Sequence, residues 1–174
     1  MRVVAGEFGG RRLEAPRGTG VRPTGDRVRE AIFSILGDVD RARVLDLYSG
    51  TGALAIEAVS RGAEGAVLVD IEPVAARRNV EALGIADRCE VVRADAKRYL
   101  RRDTARFDLI FCDPPYKLAD RIGPELTRLI PDRLAERGRV IVESDVRQPL
   151  RLELPLDVER RYGDTLIRIH GAAG

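Results

Sequence analysis

Four consecutive residues, Asp113-Pro114-Pro115-Tyr116, join a carboxylate, two prolines and a flat aromatic ring. Proline fixes its own φ and removes a backbone donor, so the pair makes a rigid ledge of carbonyl acceptors. The Asp113 side chain and the Pro114 carbonyl together suit the two hydrogens of an –NH₂ group. Tyr116 supplies a surface on which an extruded base can stack. An amine conjugated to a ring is a poor nucleophile, because its lone pair is spread into the ring. Two acceptors that fix its hydrogens turn the lone pair toward an electrophile, and Asp113 disperses the positive charge that develops on nitrogen. The chemistry implied is alkylation of a base amine, with no metal and no covalent intermediate. A rigid turn packed by an aromatic would explain the prolines, but not an aspartate at the end of a strand.

The electrophile has its own signature upstream, in Val44-Leu45-Asp46-Leu47-Tyr48-Ser49-Gly50-Thr51-Gly52-Ala53-Leu54. A strand carrying an acid runs into two glycines and then a helix. Glycine lets the chain turn sharply and lets a ligand approach without a Cβ in the way, and the helix start offers N–H groups to an anionic group. The segment also fits the dinucleotide fingerprint in its G-x-G-x-x-A form. Asp46 separates the two readings, since a carboxylate there suits the ammonium of a methionine and repels a pyrophosphate. The alternative is that Asp46 only satisfies loop N–H groups. Asp70 follows Gly52 at about the ~20-residue spacing of an acid that binds ribose hydroxyls, with Glu72 as a rival. Asp95 follows a third strand, where it accepts from an adenine amino group, caps the next helix, or does both. Acids at successive strand ends converge where open α/β sheets bind ligands. The ligand they describe is S-adenosylmethionine. A nicotinamide oxidoreductase would use residues 50–55 and leave Asp46 and residues 113–116 without a task.

The elements that must position these groups read as follows. Residues 2–5 and 11–15 look like short strands around glycines 6, 9 and 10, a plausible hairpin. A turn-rich stretch covers 16–23. Val28, Ala31, Ile32, Ile35 and Leu36 then share one helical face, with Thr24 or Asp26 as cap and Gly37 as stop. From residue 41, strands at 44–47, 66–69, 89–92, 107–112 and 140–143 alternate with helices at 53–61, 73–83, 96–101 and 119–137, the last broken near Pro131. Strands at 158–162 and 165–170 close as an antiparallel pair. Uniformly apolar early strands imply helices on both sheet faces, and the alternation predicts a parallel, doubly wound α/β sheet. The expected division is a hairpin-helix extension over 1–40 and a catalytic domain over 41–174.

Composition adds exclusions. The chain is 174 residues long, 44% hydrophobic and 33% charged, and carries a net charge of +2. No apolar run approaches the ~18 residues of a membrane span, and the start does not read as a signal peptide. Cys89 and Cys112 form no disulfide framework or zinc spacing, and His170, the only histidine, falls in a terminal strand. Cytoplasmic location and no metal are therefore expected. Of the 30 basic residues only Lys97 and Lys117 are lysine. Residues 1–30 hold seven arginines against four acids, a patch compatible with phosphate contact.

The loop and the tetrapeptide together resemble class I methyltransferases that act on base amines. Further motifs narrow the likeness: Arg2-Val3-Val4-Ala5-Gly6, Gly10-Arg11-Arg12-Leu13, Arg22-Pro23-Thr24, Asp26-Arg27-Val28-Arg29-Glu30, Ser60-Arg61-Gly62-Ala63, Val142-Glu143-Ser144 and Tyr162-Gly163-Asp164-Thr165. In this order they resemble the small-subunit rRNA methyltransferase D family, over nearly the whole chain. The resemblance implies a Rossmann-like sheet of order 3-2-1-4-5-7-6. It implies methyl transfer to N2 of one guanine, the family's guanine 966, in 16S rRNA of the small subunit or its assembly intermediate, by a monomer. It implies a catalytic set of Asp113, Pro114, Pro115 and Tyr116, and cofactor contacts at Asp46, Tyr48, Ser49, Gly50, Gly52, Leu54, Asp70, Ile71, Asp95 and Ala96. RNA contacts fall to Arg2, Arg11, Arg12, Arg22, Thr24, Arg27 and Arg29. Tyr48 stands where many class I enzymes have a glycine.

Overall fold

A computed structural model describes residues 1–14, 25–115 and 118–171. Helix α1 spans Asp26–Leu36. Then follow β1 (Arg43–Leu47), α2 (Ala53–Ser60), β2 (Gly65–Asp70), α3 (Val74–Leu83), β3 (Cys89–Arg93), α4 (Ala96–Arg102), β4 (Phe107–Cys112) and α5 (Ala119–Leu129). A 3₁₀ turn at Pro131–Arg133 leads into β5 (Leu134–Asp145), β6 (Leu156–Tyr162) and β7 (Thr165–Gly171). The seven strands form one sheet in the order β3-β2-β1-β4-β5-β7-β6. β3 through β5 run parallel, and β7 pairs antiparallel with both β5 and β6. The Rossmann-like architecture and strand order are those the family resemblance implies.

Successive strand residues point to opposite faces, and here both faces are apolar. Val44, Leu109, Phe111 and Ile141 enter one core with α1, α2 and α3. Leu45, Leu47, Ile110, Cys112, Val140 and Val142 enter the other with α4 and α5. Every residue of α2 is buried, as befits a helix that is apolar almost all round. The exposed edge strand β6 carries Asp157, Glu159, Arg160 and Arg161, charges that discourage pairing with another chain.

Three elements differ from expectation. The expected N-terminal hairpin is a single bridge, Arg2 to Arg12, with the Gly10 N–H donating to the Val3 carbonyl at 2.8 Å. Helix α1 has Gly25 as its cap and no capping side chain; Asp26 is already helical, and Thr24 lies outside the described residues. The helix expected to reach residue 137 stops at Leu129, and residues 134–139 belong to β5. Leu-Ala-Glu-Arg has good helix propensity, but Leu134 pairs with Phe107 and Gly138 packs so close that a Cβ would meet the Phe107 carbonyl at 2.9 Å. Tertiary pairing overrides propensity here.

The N-terminal segment shares the first core, through Val3, Leu13, Ile32, Phe33 and Leu36. Its anchor is Glu57, a fully buried carboxylate in the middle of α2. Glu57 accepts the Val4 and Ala5 N–H groups at 2.7 and 3.0 Å and pairs with Arg61 at 2.8 Å and Arg29 at 3.7 Å. Ser60 accepts from the Phe8 N–H at 2.9 Å and donates to the Ala5 carbonyl at 2.6 Å. At Gly6, where φ is +81°, a Cβ would lie 1.8 Å from the Ser60 carbonyl oxygen. Only glycine fits that approach.

Candidate active site and cofactor cradle

Strand register brings the candidate residues to one line. Arg93 faces Asp70, Val69 faces Leu47, Leu47 faces Cys112 and Cys112 faces Val142. The carboxyl ends of β3, β2, β1, β4 and β5 therefore stand level, and the residues that follow them rim a common edge. Asp46, Asp70, Asp95 and Asp113 lie on that edge, where open α/β sheets bind ligands.

The loop after β1 is built from unusual backbone. Tyr48 has φ +61°, Gly50 +53° and Gly52 +75°. A left-handed conformation costs a non-glycine residue roughly 1–2 kcal/mol, a cost that Tyr48 bears and the two glycines avoid. The two glycines serve different ends. At Gly52 a Cβ would strike Leu68 at 2.5 Å, so the residue is needed for packing; at Gly50 the nearest atom is 4.0 Å away, so that side of the loop is open. The Ser49 carbonyl accepts from the Gly52 N–H at 2.7 Å. Its hydroxyl is buried without a hydrogen-bond partner among the described residues.

Two aspartates brace this loop. Asp70 accepts the Gly50 N–H at 2.9 Å with one oxygen and the Glu72 N–H at 2.9 Å with the other. That bond sets Asp70 against the glycine loop. Asp46 is buried and accepts the Ala55 N–H, in the first turn of α2, at 3.2 Å. The loop-satisfying role considered for Asp46 is thus real, and it leaves further lone pairs on the carboxylate. Burial pushes Asp46 up to about 7; the Ala55 bond works against the shift, and the nearby Asp70 charge adds to it.

The remaining cofactor candidates are distributed around the loop. Ile71 is 68% exposed, the most exposed of the large apolar side chains among the described residues, and it lies directly beside Asp70. Asp95 caps α4, accepting the Arg98 N–H at 3.0 Å through one oxygen. Leu54 and Ala96 are buried in the two cores, so their backbone is what they could offer a ligand.

Asp113 follows β4 directly, and its N–H points to the Leu47 carbonyl at 3.5 Å. Pro114 is buried and Pro115 exposed; Tyr116 lies outside the described residues. The Asp113 carboxyl is held well above the usual carboxylate range by burial, then by the charges of Glu143 and Asp46. Glu143 follows Val142, the partner of Cys112, so it neighbours Asp113 across the strand ends. It is buried and was not among the residues singled out for the site. A carboxylate ending an otherwise apolar strand was the available signal.

Of the arginines expected to meet RNA, Arg2, Arg11, Arg12 and Arg27 are exposed. Arg22, like Thr24, lies outside the described residues. Arg29 differs from expectation: it is fully buried, bonds to the Arg2 carbonyl, and pairs with Asp26 at 2.8 Å as well as with Glu57. Its face of α1 turns inward, so its charge joins the extension to α2. His170 is buried too, with Nδ1 3.2 Å from the Leu154 carbonyl.

A family model described as conserved hypothetical protein 95 matches residues 1–170. Ribosomal RNA small subunit methyltransferase D of Escherichia coli K12 is 34% identical over 155 residues, covering 86% of this chain and 77% of that protein. The chain belongs to the small-subunit rRNA methyltransferase D family. YlbH of Bacillus subtilis, named as a candidate rRNA methyltransferase, is 38% identical over the full length of both chains. The solved structure of yhhF, a candidate methyltransferase of E. coli, superposes with a TM-score of 0.85 at 31% identity, covering 100% of this chain and 98% of that one. The chain is thus an S-adenosylmethionine-dependent methyltransferase of the D family. The edge fits the cofactor: an acid for an ammonium, an open glycine, a buried serine hydroxyl and an exposed apolar side chain beside an acid. Among the described residues no group of three or more histidines, cysteines and acids could hold a metal ion, and no helix is long and apolar enough to cross a membrane.

Asp46 carries a pH prediction. A carboxyl near 7 is substantially protonated below neutrality and must ionise to meet an ammonium. Affinity for S-adenosylhomocysteine should fall as pH drops below about 7, tending toward about tenfold per unit, with protons released on binding. Calorimetry across pH checks this, and Asp46→Asn should flatten the profile at weaker affinity. A flat wild-type profile would remove Asp46 from the ammonium site.

Proposed function

We propose that this chain methylates the exocyclic N2 amine of the family's guanine 966 in 16S rRNA, within the small ribosomal subunit or its assembly intermediate. The observation that carries the reading is Asp113-Pro114 at the end of β4, level with the glycine loop at the end of β1. In this reading Asp46, Tyr48, Ser49, Gly50, Gly52, Leu54, Asp70, Ile71, Asp95 and Ala96 hold the cofactor. Asp46 meets its ammonium and Asp70 its ribose. When bound, the cofactor supplies an electrophilic methyl group on a positively charged sulfur. Asp113 and the Pro114 carbonyl hold the two amine hydrogens and aim the nitrogen lone pair, while Pro115 keeps the ledge rigid and Tyr116 stacks on the base. Asp113, already inclined to hold a proton, accepts the one the amine sheds. Asp113 and the prolines fit any base amine; the choice of guanine rests on the family, whose E. coli member is named for the small subunit.

The N-terminal extension, residues 1–40, is the proposed RNA contact. Arg2 and Arg12 line one cavity of about 590 Å³ beside Met1, Gly10, Leu13 and Asp26, and Arg11 and Arg27 are exposed nearby. Large exposed apolar side chains among the described residues are only Ile71, Val74 and Leu156, which supports a monomer; a ribosomal RNA substrate is what supports a place in the cytoplasm. Arg11→Glu with Arg12→Glu should weaken binding to small-subunit RNA about tenfold at low salt and flatten its salt dependence. Filter binding across a salt series reads both, and an unchanged slope would make these arginines plain solvated surface.

The deciding experiment supplies labelled S-adenosylmethionine to small subunits from a strain lacking the enzyme. The RNA is then digested, and the modified nucleoside is identified by mass spectrometry. N2-methylguanosine is expected. N6-methyladenosine or N4-methylcytidine would keep the chemistry and overturn the substrate.

A further inference from the structure

Asn79, on α3, is buried and joins two distant parts of the chain. Its Nδ2 donates to the Thr51 carbonyl at 2.9 Å, inside the glycine loop, and to the Glu14 carbonyl at 3.1 Å. Its Oδ1 accepts the Glu14 N–H at 2.7 Å. A side-chain amide has two N–H groups, so both are committed, one to the loop and one to the extension. The two bonds to Glu14 fix the plane of the amide and thereby aim the remaining N–H at Thr51.

The Thr51 carbonyl sits where it most needs such a partner. It lies between Gly50 and Gly52, both with positive φ, and glycine backbone reorients at little steric cost. Asp70 fixes the N–H of Gly50 and Asn79 fixes the carbonyl of Thr51, so the loop is held at both peptides. A buried carbonyl that loses its partner bears its desolvation cost in full, so without Asn79 the Thr51–Gly52 peptide is held only by the Gly52 N–H bond to the Ser49 carbonyl and gains a reason to turn.

We infer that Asn79 is a positioning residue for the cofactor loop, and that the N-terminal extension, through the backbone of Glu14, is part of what holds that loop ready to bind. This rests on the assignment of Gly50–Gly52 to the cofactor. The extension then has a second task besides any contact with RNA: it completes the support of the cofactor cradle.

The test is calorimetric titration of the full chain with S-adenosylhomocysteine, which needs no RNA. Asn79→Ala is expected to raise Kd about 5- to 20-fold. Glu14→Pro, which removes the N–H given to Asn79 and the side chain and fixes φ at that residue, should raise it in the same direction. Glu14→Ala loses the exposed ion pair with Arg78 but keeps the N–H, and should stay within about twofold of wild type. Leu126→Ala, a cavity in the opposite core, should lower thermal stability and leave Kd within about twofold. In steady state Asn79→Ala should raise KM for the cofactor and keep kcat at saturation. A folded Asn79→Ala with wild-type Kd, while Asp70→Ala raises it, overturns the inference alone. An equal rise in Leu126→Ala overturns it as well, since the effect would then be general loosening. If Asp70→Ala also leaves Kd unchanged, the loop assignment itself falls. Should Asn79→Ala not fold, the contrast between Glu14→Pro and Glu14→Ala decides.

Discussion

Asp113→Ala is expected to slow methyl transfer by about 10²–10³-fold or more, the usual scale for removing one preorganised charge-stabilising group. Binding of S-adenosylhomocysteine should change little. The effect is assigned to the chemical step because Asp113 sits beyond β4, where the proposed reading puts the substrate, while the groups that brace the glycine loop come from β1, β2 and α3. Its carboxyl is held high by burial and by Glu143 and Asp46. A protonated carboxyl is a poorer acceptor, so the wild-type rate should climb as pH rises through the ionisation of Asp113. Asp113→Asn keeps the size and one acceptor but not the charge, and should fall between wild type and alanine with a flatter pH profile. Single-turnover rates at saturating cofactor are the measurement. Full activity in the alanine variant would strip Asp113 of its assigned part.

The second large effect is on stability. Glu57 is fully buried and holds two backbone N–H groups and Arg61, with Arg29 beside it. Glu57→Ala takes the acceptor from two backbone N–H groups and one carboxylate partner from Arg29, which keeps Asp26. At about 1–3 kcal/mol for each buried donor left unsatisfied, the loss is roughly 3–5 kcal/mol. In a domain of this size that corresponds to a fall in Tm of roughly 10 °C. The damage should centre on the join with the extension. Amide exchange at Val4, Ala5 and Phe8 should accelerate well before that of the central strands β1 and β4. Thermal melts with exchange measured residue by residue would show it. Uniform acceleration through the sheet would mean that Glu57 supports the whole core and not this joint.

These two residues also mark what sequence reading reaches. The place of Asp113 at the end of β4 was legible because it follows an apolar run directly, and the tetrapeptide it opens is chemically odd. The β/α alternation was legible because both sheet faces are covered, which leaves long apolar runs. Glu57 and Asn79 were not singled out, because the bonds that tie them to the extension go to backbone groups of residues 4, 5 and 14, more than 50 positions away. A lone glutamate inside Ala-Leu-Ala-Ile-Glu-Ala-Val-Ser was a signal of a buried charge with an unknown partner. Arg29 was misassigned for the related reason that a cluster of arginines does not reveal which side chain turns inward. The start of β5 was hidden by good helix formers. Only its pairing with Phe107, and the close approach at Gly138, make that segment a strand.

The sheet order has a consequence for how the chain matures on the ribosome. β1 lies centrally, between β2 and β4, so by the time β3 has emerged only one of its two edges can be satisfied. On one face, α2, α3 and the extension already cover Val44 and Leu68. On the other, Leu45, Leu47 and Val69 await Phe107, Ile110, Leu126 and Val140. A nascent chain paused before β4 would present a greasy half-sheet with an open central edge, a species prone to stick to its own kind. The interval between synthesis of β3 and of β5 is therefore when a chaperone has most to do.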